Sequence, residues 1–212
     1  MKAVIFDLDG TLIDTEKYYR VLWPKALAHF GYELSDERAL MLRSLGRPYA
    51  PQLMKQWFGE EYDYYGVRAY RKELMEEVLK REGISLKPKA KETLLALRKK
   101  GIITALATAT DQERADRYLK EAGIDQDFDQ IICADMVEKG KPAPDIYQYA
   151  LLKLGLSPKD CIAVEDAPNG VKAAARAGLK VCFIQDQTPV DAEVLEYAEL
   201  CIDCLDQLLD LL

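Results

Sequence analysis

Histidine occurs once in these 212 residues, at His29, and no stretch approaches the roughly 20 consecutive apolar residues of a membrane-spanning helix. Charges interrupt every apolar run, so no membrane insertion is expected. Cysteine is scarce and odd in number. Cys133, Cys161, Cys182, Cys201 and Cys204 are scattered, without the paired framework of a small disulfide-stapled domain, and read as reduced thiols. Cys201-Ile202-Asp203-Cys204 has a two-residue spacing, but a structural zinc needs two further ligands and His29 lies far off in sequence. Blocks of lysine and arginine are missing too. The 36 acidic and 29 basic side chains leave a net charge of −7, without the positive footprint on which nucleic-acid binding relies. Acidic residues follow Phe6 too early for the apolar region of a signal peptide, so a cytoplasmic protein is expected. Internal repeats and low-complexity tracts are absent.

What is present is a large apolar share, 49% of residues spread along the whole chain, enough for a substantial core and incompatible with disorder. Short runs rich in Val, Ile, Leu and Ala at 3–6, 102–108, 131–134, 161–165 and 181–185 predict strands. They lack strict polar alternation, as expected of strands covered on both faces. Helical stretches separate them, for example 88–100, 112–122 and 169–177, each closed by a glycine at Gly101, Gly123 or Gly178. This alternation predicts an α/β fold, a Rossmann-like three-layer parallel sheet with crossover helices. One segment breaks the rhythm. From about residue 15 to 83 no β-run occurs, and apolar residues recur at helical spacing over 16–30, 35–45, 49–58 and 64–81. The expected organisation is a catalytic core of residues 1–14 and 86–212, with a small four-helix cap domain, 15–85, inserted after the first strand.

Ligands of open α/β sheets bind beyond the carboxyl ends of the strands. Four such ends carry reactive groups: Asp7 and Asp9 with Gly10, then Thr108-Ala109-Thr110, then Lys141, then Glu165-Asp166. Alone, each has a bland reading as a turn, an N-cap, a solvated lysine or a helix-start acidic pair. Together they converge on one place. Clustered carboxylates repel one another unless a cation neutralises them, and Mg²⁺ favours such oxygen ligands together with a substrate phosphate. Lys141 and the Thr108 hydroxyl suit phosphate oxygens, and backbone N–H groups near Ala109 extend the cradle. A cation, a lysine and a free carboxylate fit phosphoryl transfer to that carboxylate.

The run from Phe6 to Glu16, Phe-Asp-Leu-Asp-Gly-Thr-Leu-Ile-Asp-Thr-Glu, resembles the first motif of the haloacid dehalogenase superfamily. Thr108, Gly140-Lys141-Pro142-Ala143-Pro144-Asp145 and Val164-Glu165-Asp166-Ala167-Pro168-Asn169-Gly170 resemble its other three motifs, in order. The helical insertion matches the small cap of the group containing phosphoglycolate phosphatases and β-phosphoglucomutases. The resemblance implies a Mg²⁺-dependent phosphatase of a small phosphorylated metabolite, a sugar or polyol phosphate. Asp7 would be the nucleophile that forms an aspartyl phosphate, and Asp9 the general acid and base. Asp7, the Asp9 carbonyl, Asp166 and Glu165 would hold Mg²⁺, while Thr108, Ala109 and Lys141 would bind the phosphoryl group. The mutase pattern places a histidine twelve positions after the nucleophile, where this chain has Tyr19. A phosphosugar mutase is the alternative, and a non-catalytic small-molecule-binding protein on the same fold is the reading from another class.

Within the insertion, Arg47 in the Gly46-Arg47-Pro48 break is a specificity candidate, because a guanidinium grips carboxylate or phosphate bidentately. Tyr19 and Trp23 share a helical face that could border the cleft, although burial in the bundle explains them too. The expected partner is a phosphate ester, with no nucleic acid and no membrane, and the expected state a monomer or weak homodimer.

Overall fold

Ala-Val-Ile-Phe, four residues without solvent exposure, form β1 (Ala3–Phe6), which becomes the middle of the sheet. The computed structural model describes residues 1–212. β1 pairs in parallel with β2 (Ile103–Ala107) on one side and β4 (Cys161–Glu165) on the other. β3 (Gln130–Ile132) flanks β2, while β5 (Lys180–Ile184) and β6 (Leu200–Ile202) extend the sheet past β4, all parallel. The order is therefore β3-β2-β1-β4-β5-β6, a doubly wound sheet.

Alternation along each strand decides which layer a side chain joins. Ala3, Ile5, Ala105, Ala163 and Phe183 point to one face and pack on α7 (Asp145–Leu154), α8 (Pro168–Arg176) and α9 (Ala192–Tyr197). Val4, Phe6, Leu106, Val164 and Cys182 point to the other, against α5 (Ala90–Lys99), α6 (Gln112–Glu121) and a C-terminal 3₁₀ turn, Leu205–Asp210. Both faces are covered, which explains the apolar strands without polar alternation.

Between β1 and α5 lie four helices: α1 (Glu16–His29), α2 (Asp36–Met41), α3 (Tyr49–Phe58) and α4 (Tyr64–Glu82). Side-chain oxygens of Ser35 and Asp63 cap α2 and α4 by accepting the N–H groups of Arg38 and Gly66. Leu22, Trp23, Leu27, Met54, Val67, Leu74 and Met75 are buried in one cluster continuous with the sheet's Val4 and Phe6 face. None of the helices is long and apolar enough to cross a membrane.

Three expectations are corrected. The helix expected over 35–45 stops at Met41, because Ser44 has a φ of 52° and Asn169 Nδ2 holds the carbonyls of Met41 and Arg43 at 3.2 and 2.8 Å. The third strand ends at Ile132, and Ala134–Met136 turns away as 3₁₀ helix. A sixth strand, β6, completes the edge; three residues between Glu199 and Asp203 are too short a run to stand out in the sequence.

Candidate active site

Past β1 the chain makes a tight turn in which Gly10 adopts φ +84°, a conformation costly for residues with a Cβ. A Cβ there would also press on the Asp166 carboxylate and Glu16. The turn leaves Asp7 and Asp9, both buried, at the carboxyl end of the central strand.

The Lys141 ammonium, fully buried, donates to Asp7 Oδ1 at 2.7 Å and to Glu165 Oε1 at 2.5 Å. Glu165 Oε1 also accepts the Tyr147 hydroxyl at 2.5 Å, while Glu165 Oε2 is buried without a partner. Asp166 accepts the Thr11 hydroxyl at 3.0 Å and pairs with the guanidinium of Arg43. Arg43 Nε donates to Glu16 at 3.2 Å, and the remaining nitrogens reach Thr188 and Asp186. The Asp9 oxygens accept the hydroxyls of Thr15 and Thr110 at 2.6 and 2.7 Å. Thr108 is fully buried, its hydroxyl accepting the Thr110 N–H at 3.1 Å, so it shapes the loop that carries Ala109.

Charge in this cluster is poorly balanced. Burial pushes the Asp7 carboxyl above its ordinary range although Lys141 draws it down. Burial likewise raises Glu165 to about 8 against the pull of Lys141, and Asp166 to about 7 against Arg43. Lys141 is held above its usual value despite its burial, because Asp7 and Glu165 flank it. Ligand atoms of Asp7, Glu165 and Asp166 all lie within 4.8 Å of one another. With the unpartnered Glu165 Oε2, they form an all-oxygen set that fits a hard divalent cation.

Above Asp7 and Asp9 opens a cavity of about 80 Å³, bounded on the helical side by Tyr19, Trp23, Arg68 and Arg71. A neighbouring cavity of about 260 Å³ adjoins it through Leu45, Tyr64, Arg68 and Ala109 and reaches Arg47 and Lys141. Gly46 N donates to the Lys141 carbonyl at 2.8 Å, and Gly140 N to the Arg47 carbonyl at 2.7 Å. Side chains at either glycine would collide with the opposite backbone, a Cβ on Gly46 falling 2.6 Å from the Gly140 Cα. The Lys141 loop and the insertion therefore meet backbone to backbone.

Asp7, Asp9, Thr108, Ala109, Lys141, Glu165 and Asp166 thus gather at one sheet end, as the sequence predicts. Tyr19 and Trp23 serve both packing and cleft, since each is buried and lines the smaller cavity. Arg47 is exposed and borders the larger one. Arg43, Arg71 and Arg114 escape the sequence reading. Nothing in a charged helical segment separates an inward arginine from a solvated one, and the rings that Arg71 meets, Tyr19 and Trp23, stand on a different helix. Tyr147, two residues after the Lys141 motif ends at Asp145, is missed for a similar reason. The Cys201 and Cys204 thiols are unpaired, and Cys204 Sγ donates to the Pro88 carbonyl at 3.8 Å.

Paired aspartates beyond the central strand of a doubly wound sheet, backed by a buried lysine and a cation-ready acidic cluster, define a phosphoryl-transfer enzyme. Residues 1–178 match the family model of the haloacid dehalogenase-like hydrolases, and the chain belongs to that family. It is a phosphomonoester hydrolase. A phosphorylated carbohydrates phosphatase of Thermotoga maritima is 32% identical over 186 residues, spanning 85% of this chain and 83% of that one. The β-phosphoglucomutase of Bacillus subtilis is 29% identical over 218 residues, spanning 98% and 95%. Among solved structures, a HAD hydrolase, family IA, variant 3 from Entamoeba histolytica superposes with a TM-score of 0.82 at 29% identity, covering 98% of this chain and 95% of that one.

Proposed function

We propose that the enzyme is a Mg²⁺-dependent phosphatase of a phosphorylated sugar or polyol, working through an aspartyl phosphate on Asp7. The observation that carries this reading is that Asp7 and Asp9 open on one cavity while Lys141, Glu165 and Asp166 cluster around the Asp7 carboxylate. The named activity of the Thermotoga relative supports the substrate class. Residues 15–85 act as a cap over a core of 1–14 and 86–212, shielding the reacting ester from bulk water.

Asp7 attacks phosphorus as the bond to the ester oxygen breaks, and protonated Asp9 hands its proton to that oxygen. Asp9 then takes a proton from the water that attacks the phosphorylated Asp7, which frees phosphate and restores the carboxylate. Thr15 and Thr110 orient Asp9 for both transfers. Lys141 and the Thr108–Ala109 loop hold the phosphoryl oxygens. Asp7, Asp166, the Asp9 carbonyl and Glu165 would bind Mg²⁺, which supplies positive charge against the carboxylates and the incoming phosphate.

Mutase chemistry on the pattern of the Bacillus relative meets an obstacle at Tyr19. Burial and nearby Asp9 hold its phenol above the ordinary range, so it does not titrate near neutrality as a histidine there would. The test is phosphate release with Mg²⁺ over a panel of sugar, polyol, nucleotide and glycolate phosphates, with β-glucose 1-phosphate isomerisation followed in parallel. Release outpacing isomerisation is expected, and the reverse would favour the mutase.

The metal assignment carries a pH signature. Glu165 and Asp166 rise from ordinary values of 4.5 and 3.8 to about 8 and about 7. The folded metal-free protein therefore binds more protons than the unfolded chain between about pH 4 and about pH 8, and loses stability as pH rises through that window. Mg²⁺ displaces those protons. The melting temperature gained on replacing EDTA by Mg²⁺ should thus be larger at about pH 8 than at about pH 6; an equal gain at both would contradict the assignment.

A further inference from the structure

We propose that the cleft contains a second anion site built on Arg71 and Arg68, so that the natural substrate is a phosphate ester whose far end is itself anionic, a carboxylate or a second phosphate. The inference rests on the phosphatase reading and narrows its substrate class.

Arg71 projects from α4 into the cavity that opens on Asp7 and Asp9, and only 6% of its surface is exposed. Its guanidinium lies between two rings, with its central carbon 4.6 Å from the centroids of both Tyr19 and Trp23. Such stacking offsets part of the cost of burying the charge. Arginine cannot shed its proton to escape that cost. It makes no salt bridge, and its Nε is buried with no hydrogen-bond acceptor.

The neighbours do not help. Arg114 and Arg68, both cations, are the charged side chains that most strongly oppose its charge, adding to the effect of burial. Arg114 is already engaged, donating to Asp111 at 3.0 Å and to the Tyr19 hydroxyl at 3.4 Å. Arg68, half-buried, forms no side-chain hydrogen bond or ion pair, and it lines both cavities. The acids of the same cavity are committed elsewhere: Asp7 to Lys141, Asp9 to Thr15 and Thr110, and Glu16 to Arg43.

An uncompensated buried cation is strongly destabilising, and proteins keep one where a ligand completes the pair. The guanidinium fork matches the planar oxygens of carboxylate or phosphate. Lys141 and the Thr108–Ala109 loop hold the reacting phosphoryl group at the sheet, whereas the Arg71–Arg68 pair sits on the helical side. The two sites therefore take opposite ends of one molecule. A neutral polyol tail would leave Arg71 unpaired.

Three linear esters isolate the far group: glucitol 6-phosphate, 6-phosphogluconate and glucitol 1,6-bisphosphate end in hydroxymethyl, carboxylate and phosphate. Affinities are measured calorimetrically on Asp7→Asn, in which the ester persists unreacted, and turnover on the wild type. The two anionic tails should bind about tenfold or more tighter than the neutral one, and in turnover the preference should fall in KM rather than kcat. Arg71→Gln should abolish the preference, weakening the two anionic esters about tenfold or more relative to glucitol 6-phosphate, and Arg71→Lys should restore part of it. Equal affinities for all three, or an Arg71→Gln loss shared equally by all three, would overturn the second site. Retained binding preference with no turnover of any ester would instead overturn the phosphatase reading and leave the anion site standing.

Discussion

Asp7→Asn should lower phosphate release by about a thousandfold or more while leaving the melting temperature within a few degrees of the wild type. An amide cannot displace an ester oxygen from phosphorus, so the covalent step is lost rather than slowed. Asparagine keeps the volume and can still accept the Lys141 hydrogen bond, and Glu165 remains as the counter-charge of that lysine. Burial already disfavours the ionised Asp7, so removing its charge does not strip the fold of a large favourable interaction. Activity assays paired with thermal melts check both halves. A variant that keeps a tenth of the wild-type rate would remove Asp7 from the mechanism.

Lys141→Met should damage stability and catalysis together. Lys141 is the cation between Asp7 and Glu165 with no exposed surface, and removing it leaves two buried carboxylates facing each other. Breaking a buried pair from one side costs about 3–5 kcal/mol, which for a chain of this length lowers the melting temperature by roughly 10 °C. The sign of the pH dependence follows. Without the lysine the carboxyl groups titrate still higher, and a raised folded-state value gives stability that is present at low pH and lost as pH rises. The deficit should therefore be larger at about pH 8 than at about pH 5.5, where both groups take up protons. A deficit independent of pH would contradict the ion-pair account. Phosphate release should fall at least about a hundredfold, since the transferring group loses its buried cation.

The core of this molecule was readable because its signals are local. Four apolar runs, 3–6, 102–108, 161–165 and 181–185, lie within a residue or so of β1, β2, β4 and β5, since parallel strands buried on both faces must be apolar throughout. Asp7, Asp9, Lys141, Glu165 and Asp166 were readable as a group because each follows a strand, and strand ends converge in a doubly wound sheet. The helical side was not readable to the same depth. Arg43 lies just past the early end of α2 and turns inward through contacts with Glu16, Asp166 and Thr188, partners 27, 123 and 145 positions away. Arg71 occupies a helix so rich in charge that its own burial leaves no trace in the periodicity. Edge strand β6 went unseen because three residues at a margin carry too little pattern.

The central claim is that the phosphoryl group visits Asp7 before water takes it. Its most direct test is the stereochemical course at phosphorus, followed with a sugar phosphate made chiral by oxygen isotopes and sulfur. Two in-line displacements, onto Asp7 and then onto water, each invert the centre, so the account predicts net retention. Net inversion would mean that water attacks the ester in a single step, and would reduce Asp7 to a metal ligand or base.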